Sequence, residues 1–207
     1  MGCGSRKSNP QLTTGFVAEF AQTTNPFSIF KEAKFMNEKP LVGILMGSDN
    51  DYEIMKETAV ALNQFGIPFE MTVSSAHRTP ERTAKIVRTA KERGIKILIA
   101  GAGAAAHLAG VVAAETTLPV IAVPIDATAL NGMDALLAMV QMPAGIPVAT
   151  MAIGKAGARN AGIFAAQMLA VDDVALSEKL VQFKADMAAG VEAKAEALSQ
   201  RLAQDFS

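Results

Sequence analysis

Five short apolar blocks, each followed by a stretch with helical spacing, constrain the fold more than any other feature of this sequence. The strand-like blocks are residues 41–46, 69–73, 95–100, 120–125 and 148–153. The helical stretches are residues 51–65, 80–93, 105–115, 133–142 and 156–171. Strands that alternate with helices predict an α/β fold, in which a five-stranded parallel sheet carries helices on both faces.

Local signals mark the ends of the second helical stretch. Thr79 is expected at the N-cap, Pro80 at the first helical position and Gly94 just past the last turn.

The segment 174–207 has apolar residues at spacings of three, four and seven, and the pattern predicts one long amphipathic helix with a bend expected at Gly190. A helix of this length would span roughly 50 Å, whereas the core formed by the preceding residues should be only about 35–40 Å across. We therefore expect part of the helix to pack on a neighbouring subunit. The alternative is a helix that breaks at Gly190 and folds back on its own core.

The rest of the chain divides into two parts. Residues 1–39 are rich in Ser, Thr, Asn and Gln, show no sustained period and are expected to form a loose arm. Residues 40–173 carry the regular pattern and are expected to form the α/β catalytic domain.

Charge and cysteine content restrict the partners. Lys and Arg number 19 against 20 acidic residues, so no strong field favours nucleic acid or an anionic membrane. Cys3 is the only cysteine, which excludes an intrachain disulfide and fits a reducing cytoplasm.

Residues 97–125 have a single charge and resemble a membrane span by hydropathy. Internal glycines and Pro119 instead indicate a buried strand, helix and strand.

Three strand ends are followed by segments with chemical character: M-G-S-D-N-D-Y at 46–52, S-S-A-H-R-T-P at 74–80 and A-G-A-G-A-A-A-H-L at 100–108. Ligands of parallel α/β sheets bind beyond the carboxyl ends of the strands. In the first segment, Asp51 suits either sugar hydroxyls or helix capping. In the second, Arg78 could donate two hydrogen bonds to a phosphate, and His77 could transfer a proton near neutral pH. Alternatively, Arg78 could be a surface charge and His77 a helix cap.

The third segment offers almost no side chains before His107. Gly103 and Ala104 allow a ligand to approach the backbone closely. The segment lacks the G-K-[ST] signature and the dinucleotide spacing of glycines, so the sequence favours a wall for something small and flat over a phosphate loop. His107 falls in the first turn of the expected helix, and structural and catalytic roles both remain open for it.

Five runs in a fixed order resemble one family. They are M-G-S-x-x-D, S-A-H-R-T-P, the near match G-A-G-A-A-A-H-L, V-Q-M-P at 140–143 and A-I-G-K-A-G-A at 152–158. Through these runs, residues 41–170 resemble the N5-carboxyaminoimidazole ribonucleotide mutases of purine biosynthesis, also called the catalytic subunit of phosphoribosylaminoimidazole carboxylase. The resemblance implies a flavodoxin-like three-layer αβα sandwich and a homo-octamer with exchanged C-terminal helices. It also implies no metal and no organic cofactor.

The resemblance further implies a reaction, in which a carboxylate moves from the exocyclic nitrogen of a ribonucleotide to ring carbon C4 through transient CO2. His77 would be the general acid and base, Asp51 would bind the ribose hydroxyls and Arg78 the phosphate. The full set of implied substrate contacts is Ser48, Asn50, Asp51, Ser75, Arg78, Gly103, Ala104 and His107.

The sequence departs from the family pattern at a few positions. Asn50 stands where the family usually has Ser, Ala104 where it has Gly, and Ala109 where it has Pro. If position 104 requires a positive φ, alanine there costs about 1 kcal/mol. None of these changes removes the proposed acid–base group.

Three rival functions remain, and the first is a plain nucleotide-binding module, which would not use His77 for chemistry. A second type within the family carboxylates the aminoimidazole ribonucleotide directly with CO2 and resembles S-A-H-K with a different third loop, so Arg78 and A-A-H-L favour the mutase. A receiver-like signalling module of similar fold would use Asp49, Asp51 and Lys155. That module needs an acceptor Asp at the end of the third strand, where this chain has a Gly-Ala-Gly run.

Overall fold

The computed structural model describes residues 39–206, so the predicted arm lies outside the described residues apart from Lys39. The five strands are β1 Val42–Met46, β2 Phe69–Val73, β3 Ile97–Gly103, β4 Val120–Ile125 and β5 Ala149–Thr150. They form one sheet in the order β2-β1-β3-β4-β5, and every neighbouring pair is parallel. This is the strand order of flavodoxin-like folds, and the predicted α/β class is confirmed.

Six α-helices accompany the sheet in the described part of the chain. They are α1 Tyr52–Phe65, α2 Pro80–Arg88, α3 Leu108–Ala114, α4 Met133–Val140, α5 Gly154–Leu169 and α6 Val174–Asp205. A short 3-10 helix, Asp49–Asp51, precedes α1. Among residues 39–206, no helix is both long and apolar enough to cross a membrane.

The two faces of the sheet bury alternate strand residues, as the period of two requires. One set packs in a single core cluster with α1 and α5: Val42, Ile44, Met46, Ile97, Ile99, Ile121, Val123 and Ile125. The intervening residues Leu45, Leu98 and Ala122 are equally buried and lie outside that cluster, on the face that carries α3 and α4. Both faces of the sheet are therefore covered, and the strands read as continuous apolar runs.

Small residues allow α1 and α5 to approach closely. A Cβ added to Gly162 would lie 2.8 Å from the backbone oxygen of Thr58, and the Thr58 hydroxyl donates to the Ala158 carbonyl at 2.7 Å. The alanine-rich sequence of α5 is thus explained by packing.

Several predicted boundaries were wrong, for local reasons. β3 extends three residues beyond Ala100 because its last residues pair with β4. β5 is only two residues long, at the edge of the sheet. α2 ends at Arg88 rather than at residue 93, and a series of turns follows it up to Gly94, whose φ is +97°. α3 begins three residues later than expected.

The last helix is the longest element. α6 contains 32 residues, which corresponds to about 48 Å at 1.5 Å per residue. It continues through Gly190, so the alternative in which the helix breaks there and folds back is wrong. Only its first turns meet the core, where Leu176 is buried and Phe183 packs edge-on against Phe65 at 5.4 Å between ring centroids.

Candidate functional site

The three chemically distinctive segments meet around one cavity at the carboxyl edge of the sheet. Its volume is about 450 Å³. β1, β2 and β3 are neighbours in the sheet with β1 in the middle, so the segments that follow them converge above it. The described lining residues are Gly47, Ser48, Asn50, Asp51, Ser75, Ala76, His77, Arg78, Ala102, Gly103, Ala104, Ala105, Leu108 and Ala127.

The first segment is held by a reciprocal capping box. The Ser48 hydroxyl accepts from the Asn50 amide at 3.3 Å, and the Ser48 amide donates to Oδ2 of Asp51 at 3.0 Å. Asp51 therefore makes a capping interaction as well as lining the cavity, and it belongs to the 3-10 helix rather than to the start of α1.

Burial sets the electrostatics of Asp51, which is only 7% exposed. Desolvation raises the pKa of its carboxyl above the ordinary value, and the nearby negative charge of Asp49 acts in the same direction. The hydrogen bond from the Ser48 amide opposes these effects but does not cancel them.

The second segment is anchored by hydroxyl groups. Ser74 and Thr83 are buried, and their side-chain oxygens lie 2.8 Å apart. The Thr79 hydroxyl accepts from the Ser75 amide at 3.1 Å and donates to the Ser75 carbonyl at 3.0 Å. Thr79 occupies the N-cap position of α2 as predicted. Its side chain makes no capping hydrogen bond to the helix, because its hydroxyl is hydrogen-bonded to the backbone of Ser75 instead.

This network presents His77 and Arg78 to the cavity. The Arg78 amide donates to the Ser75 hydroxyl at 3.2 Å, which holds the backbone between His77 and Arg78 in place. One guanidinium nitrogen of Arg78 is 3.5 Å from the Gly47 carbonyl. This long contact links the second segment to the first and keeps the guanidinium group at the cavity.

The third segment forms a tight bare wall. Ala104 has φ of +53°, and two short turns follow, in which the Ala106 amide donates to the Ala104 carbonyl and the His107 amide to the Ala105 carbonyl, each at 2.8 Å. These turns explain why α3 begins only at Leu108. A Cβ on Gly103 would lie 2.5 Å from the Cβ of Ala127, so this position has no room for a side chain.

The two histidines are in contact although they are 30 residues apart. Nε2 of His77 lies 2.9 Å from Nδ1 of His107, and the rings are edge-to-face with centroids 5.0 Å apart. The sequence placed both residues at strand ends but gave no sign that their rings would meet. The lining residue Ala127 was also missed, because nothing in its sequence context distinguishes it.

The A-I-G-K-A-G-A run lies at the start of α5. A Cβ on Gly157 would be 1.6 Å from the Ala152 carbonyl oxygen, so this glycine is required by the turn into the helix. No group of three or more His, Cys, Asp or Glu side chains within residues 39–206 is arranged to hold a metal ion.

A family model described as AIR carboxylase matches residues 41–190. The chain belongs to this family.

Two relatives, from Pyrococcus horikoshii and Bacillus subtilis, are each named N5-carboxyaminoimidazole ribonucleotide mutase. The first is 54% identical over 164 residues, which cover 79% of this chain and 92% of the relative. The second is 58% identical over 142 residues, which cover 69% of this chain and 88% of the relative. Among solved structures of AIR carboxylase relatives, that of Treponema denticola PurE superposes with a TM-score of 0.70 at 27% identity, covering 77% of this chain and 98% of that one.

Proposed function

We propose that this protein is an N5-carboxyaminoimidazole ribonucleotide mutase of purine biosynthesis. The observation that carries the proposal is the identity of 54% over nearly the full length of a relative of that name. The convergence of the three family segments around one cavity supports it further, because each segment contributes a different part of the required chemistry.

The reaction exchanges one bond for another without net change in protons. The bond between the exocyclic nitrogen and the carboxylate breaks to release CO2, and His77 donates a proton to that nitrogen. Carbon C4 of the electron-rich ring then attacks the CO2, and His77 removes the C4 proton. A group that both gives and takes a proton needs a pKa near neutral pH, and histidine is the side chain that meets this condition.

The wall opposite His77 suits a transient CO2 molecule. Ala102, Gly103, Ala104 and Ala105, together with Leu108 and Ala127, contribute no polar side chain to the cavity. No hydroxyl, amine or thiol therefore competes for CO2 from that side. A water-poor wall also strengthens the electrostatic contacts made elsewhere in the site.

The polar side of the cavity would hold the ribonucleotide. Asp51, buried beside Ser48, is suited to the ribose hydroxyls, and Arg78 is suited to the phosphate because its guanidinium group can donate two parallel hydrogen bonds. The remaining proposed contacts are Ser48, Asn50, Ser75, Gly103, Ala104 and His107.

A direct CO2-dependent carboxylase is the alternative within the family. Arg78 and the A-A-H-L run favour the mutase. The deciding experiment supplies the N-carboxylated ribonucleotide without ATP and follows the C4-carboxylated product by chromatography. We expect rapid product formation, whereas product only from the free ribonucleotide plus bicarbonate would reverse the assignment.

Substitutions separate the two principal roles. His77→Asn should lower kcat by about 10²–10⁴-fold, the usual contribution of general acid–base catalysis, with the fold intact because the side chain is exposed. Arg78→Ala should instead raise KM about 10- to 100-fold, the loss of a charged hydrogen bond. Arg78→Lys is the matched control. Its KM should lie between those of the wild type and Arg78→Ala, since lysine keeps the charge but cannot donate two parallel hydrogen bonds. Equal losses of kcat in His77→Asn and Arg78→Ala would contradict these roles.

The proposal extends to assembly and location. We propose a cytoplasmic homo-octamer, with residues 40–173 as the catalytic domain and with the helix of residues 174–207 packed on a neighbouring subunit. The exposed apolar residues of α6 beyond Phe183 support this arrangement.

A further inference from the structure

The contact between the two imidazole rings constrains where their protons lie. At 2.9 Å, Nε2 of His77 and Nδ1 of His107 can be joined by one proton only. Two protons would collide, and none would set two lone pairs against each other. The edge-to-face geometry, with 80° between the ring planes, directs the nitrogen of one ring at the other.

We propose that His107 is a positioning residue that shares the proton of His77, so that the acid–base group of this site is a two-histidine pair. The proposal rests on the proposed function for the reaction that the pair serves. It assigns His107 a role through its contact with His77, because His107 is not itself among the residues that line the cavity.

The first consequence concerns the orientation of His77. Because Nε2 of His77 is hydrogen-bonded to His107, Nδ1 is the ring nitrogen of His77 that is available to the substrate. Without His107 the ring of His77, which lies in an exposed loop, would be free to rotate and to change tautomer. A second partner that fixes the tautomer of a working histidine is a general feature of acid–base sites.

The second consequence concerns the proton balance. The acid form of the pair is a monocation with three protons on four nitrogens: Nδ1 of His77, the shared position and Nε2 of His107. Donation of the Nδ1 proton to the exocyclic nitrogen leaves a neutral pair, in which Nε2–H of His77 donates to His107. The bare Nδ1 of His77 then takes the C4 proton, which regenerates the monocation. Neither ring becomes an anion at any step.

The shared proton also stabilises the acid form. When His77 is charged, Nδ1 of His107 accepts its Nε2–H, a hydrogen bond that an isolated ring in the same place would lack. The other charged side chains that line the cavity are Asp51 from the first segment and Arg78 from the second.

Two substitutions distinguish this role from a purely structural one. His107→Phe keeps an aromatic ring and removes both nitrogens, and His107→Asn keeps a hydrogen-bonding group near the position of Nδ1 but cannot carry the extra proton. Because His107 is exposed in the chain, both should be compatible with folding. The wild-type protein is assayed in parallel, so a failure of the proposed function would be visible in the wild type.

We expect His107→Phe to lower kcat by about 10- to 100-fold, less than the loss of the acid–base group itself, with a smaller effect on KM than on kcat. His107→Asn should recover part of this loss. Wild-type kcat in His107→Phe would overturn the proposal, whether or not KM changes.

A second measurement requires no turnover and no variant that might misfold. The chain contains two histidines, so 15N-labelled histidine gives four ring signals. At a pH where the pair is neutral, we expect His77 as the Nε2–H tautomer and the Nδ1 signal of His107 shifted by hydrogen bonding. Signals typical of two independent, rapidly exchanging imidazoles would refute the pair.

Discussion

Ala104 is a strained residue in the wall of the site. Its φ of +53° lies in the left-handed region, where an L residue with a Cβ costs about 1–2 kcal/mol. We expect Ala104→Gly to raise the free energy of unfolding by about 0.5–1 kcal/mol, because relief of strain exceeds the added entropy of the unfolded chain. Urea denaturation measures this change. Ala105→Gly, at the next exposed position without a positive φ, is the control and should be neutral or destabilising.

Asp51 gives a stability effect that depends on pH. Burial raises its pKa in the folded state above the ordinary value of 3.8, so the native protein binds this proton more tightly than the unfolded chain. Its contribution to stability is present below pH 3.8 and is lost as pH rises through the folded pKa. Asp51→Asn keeps an acceptor for the Ser48 amide and removes the buried charge, so it should raise Tm at pH 7.

The same variant should show little gain in Tm near pH 3.5, where the wild-type carboxyl is already protonated. If the carboxylate binds the ribose hydroxyls, Asp51→Asn should also raise KM for the ribonucleotide. A destabilising effect at pH 7 would contradict the assigned cost of burial.

At the residue scale, sequence patterns predicted which segments meet at the cavity but not the contacts between them. His77, Arg78 and Asp51 line the cavity because each follows a predicted strand, and parallel strands end at one edge of the sheet. The contact between His77 and His107 depends on loop geometry across β1, set by the turns after Ala104 and by the hydroxyl bonds of Ser75. No periodicity in the sequence reports such geometry.

At the element scale, a buried pair of hydroxyls joins the segment 74–80 to α2. Ser74 directly follows β2 and Thr83 lies in the first turn of α2, and neither is exposed to solvent. Thr83→Val should cost about 1–3 kcal/mol, because the Ser74 hydroxyl loses its buried partner. Thr83→Ser retains the hydroxyl and is the matched control, expected to lose less. Thermal unfolding compares them, and a larger loss in Thr83→Ser than in Thr83→Val would show that the methyl group, rather than the hydrogen bond, matters.

The same substitution tests how the loop is positioned. A displaced loop should lower kcat in Thr83→Val more than in Thr83→Ser, since His77 lies between these anchors. An unchanged kcat in a destabilised Thr83→Val would mean that the bonds of Thr79 and Ser75 hold the loop by themselves.

The sequence predicted the type and order of the five strands and the six α-helices, but it missed the 3-10 helix Asp49–Asp51 and several element limits. The apolar runs were reliable because both faces of the sheet are buried. The end of β3 was missed because its last residues, Gly-Ala-Gly, have low strand propensity, and only pairing with β4 extends it. The turns between α2 and β3 were read as helix, because Arg93 and its neighbours have good helix propensity while their backbone bonds close turns instead.

At the scale of the whole molecule, α6 leaves an apolar stripe without a partner in the described chain. Met187, Val191, Leu198 and Leu202 are all at least 48% exposed and recur at spacings of four, seven and four. These spacings place them on one helical face. Burying a side chain of this size contributes about 1.5–3 kcal/mol, so contact with another subunit would supply a substantial driving force for assembly.

Mutating this stripe tests the assembly directly. Eight chains of 21.6 kDa make about 173 kDa, the mass that light scattering should give for the wild type. Val191→Glu combined with Leu198→Glu should reduce the mass, because two buried charges without partners oppose docking. The control changes two other exposed positions of α6, Glu192→Gln and Glu196→Gln, and should leave the mass unchanged. Because α6 meets the core only through its first turns, circular dichroism should show an intact α/β domain in both proteins. A wild-type mass near 21.6 kDa, or an unaltered mass in the doubly charged variant, would exclude this stripe as an interface.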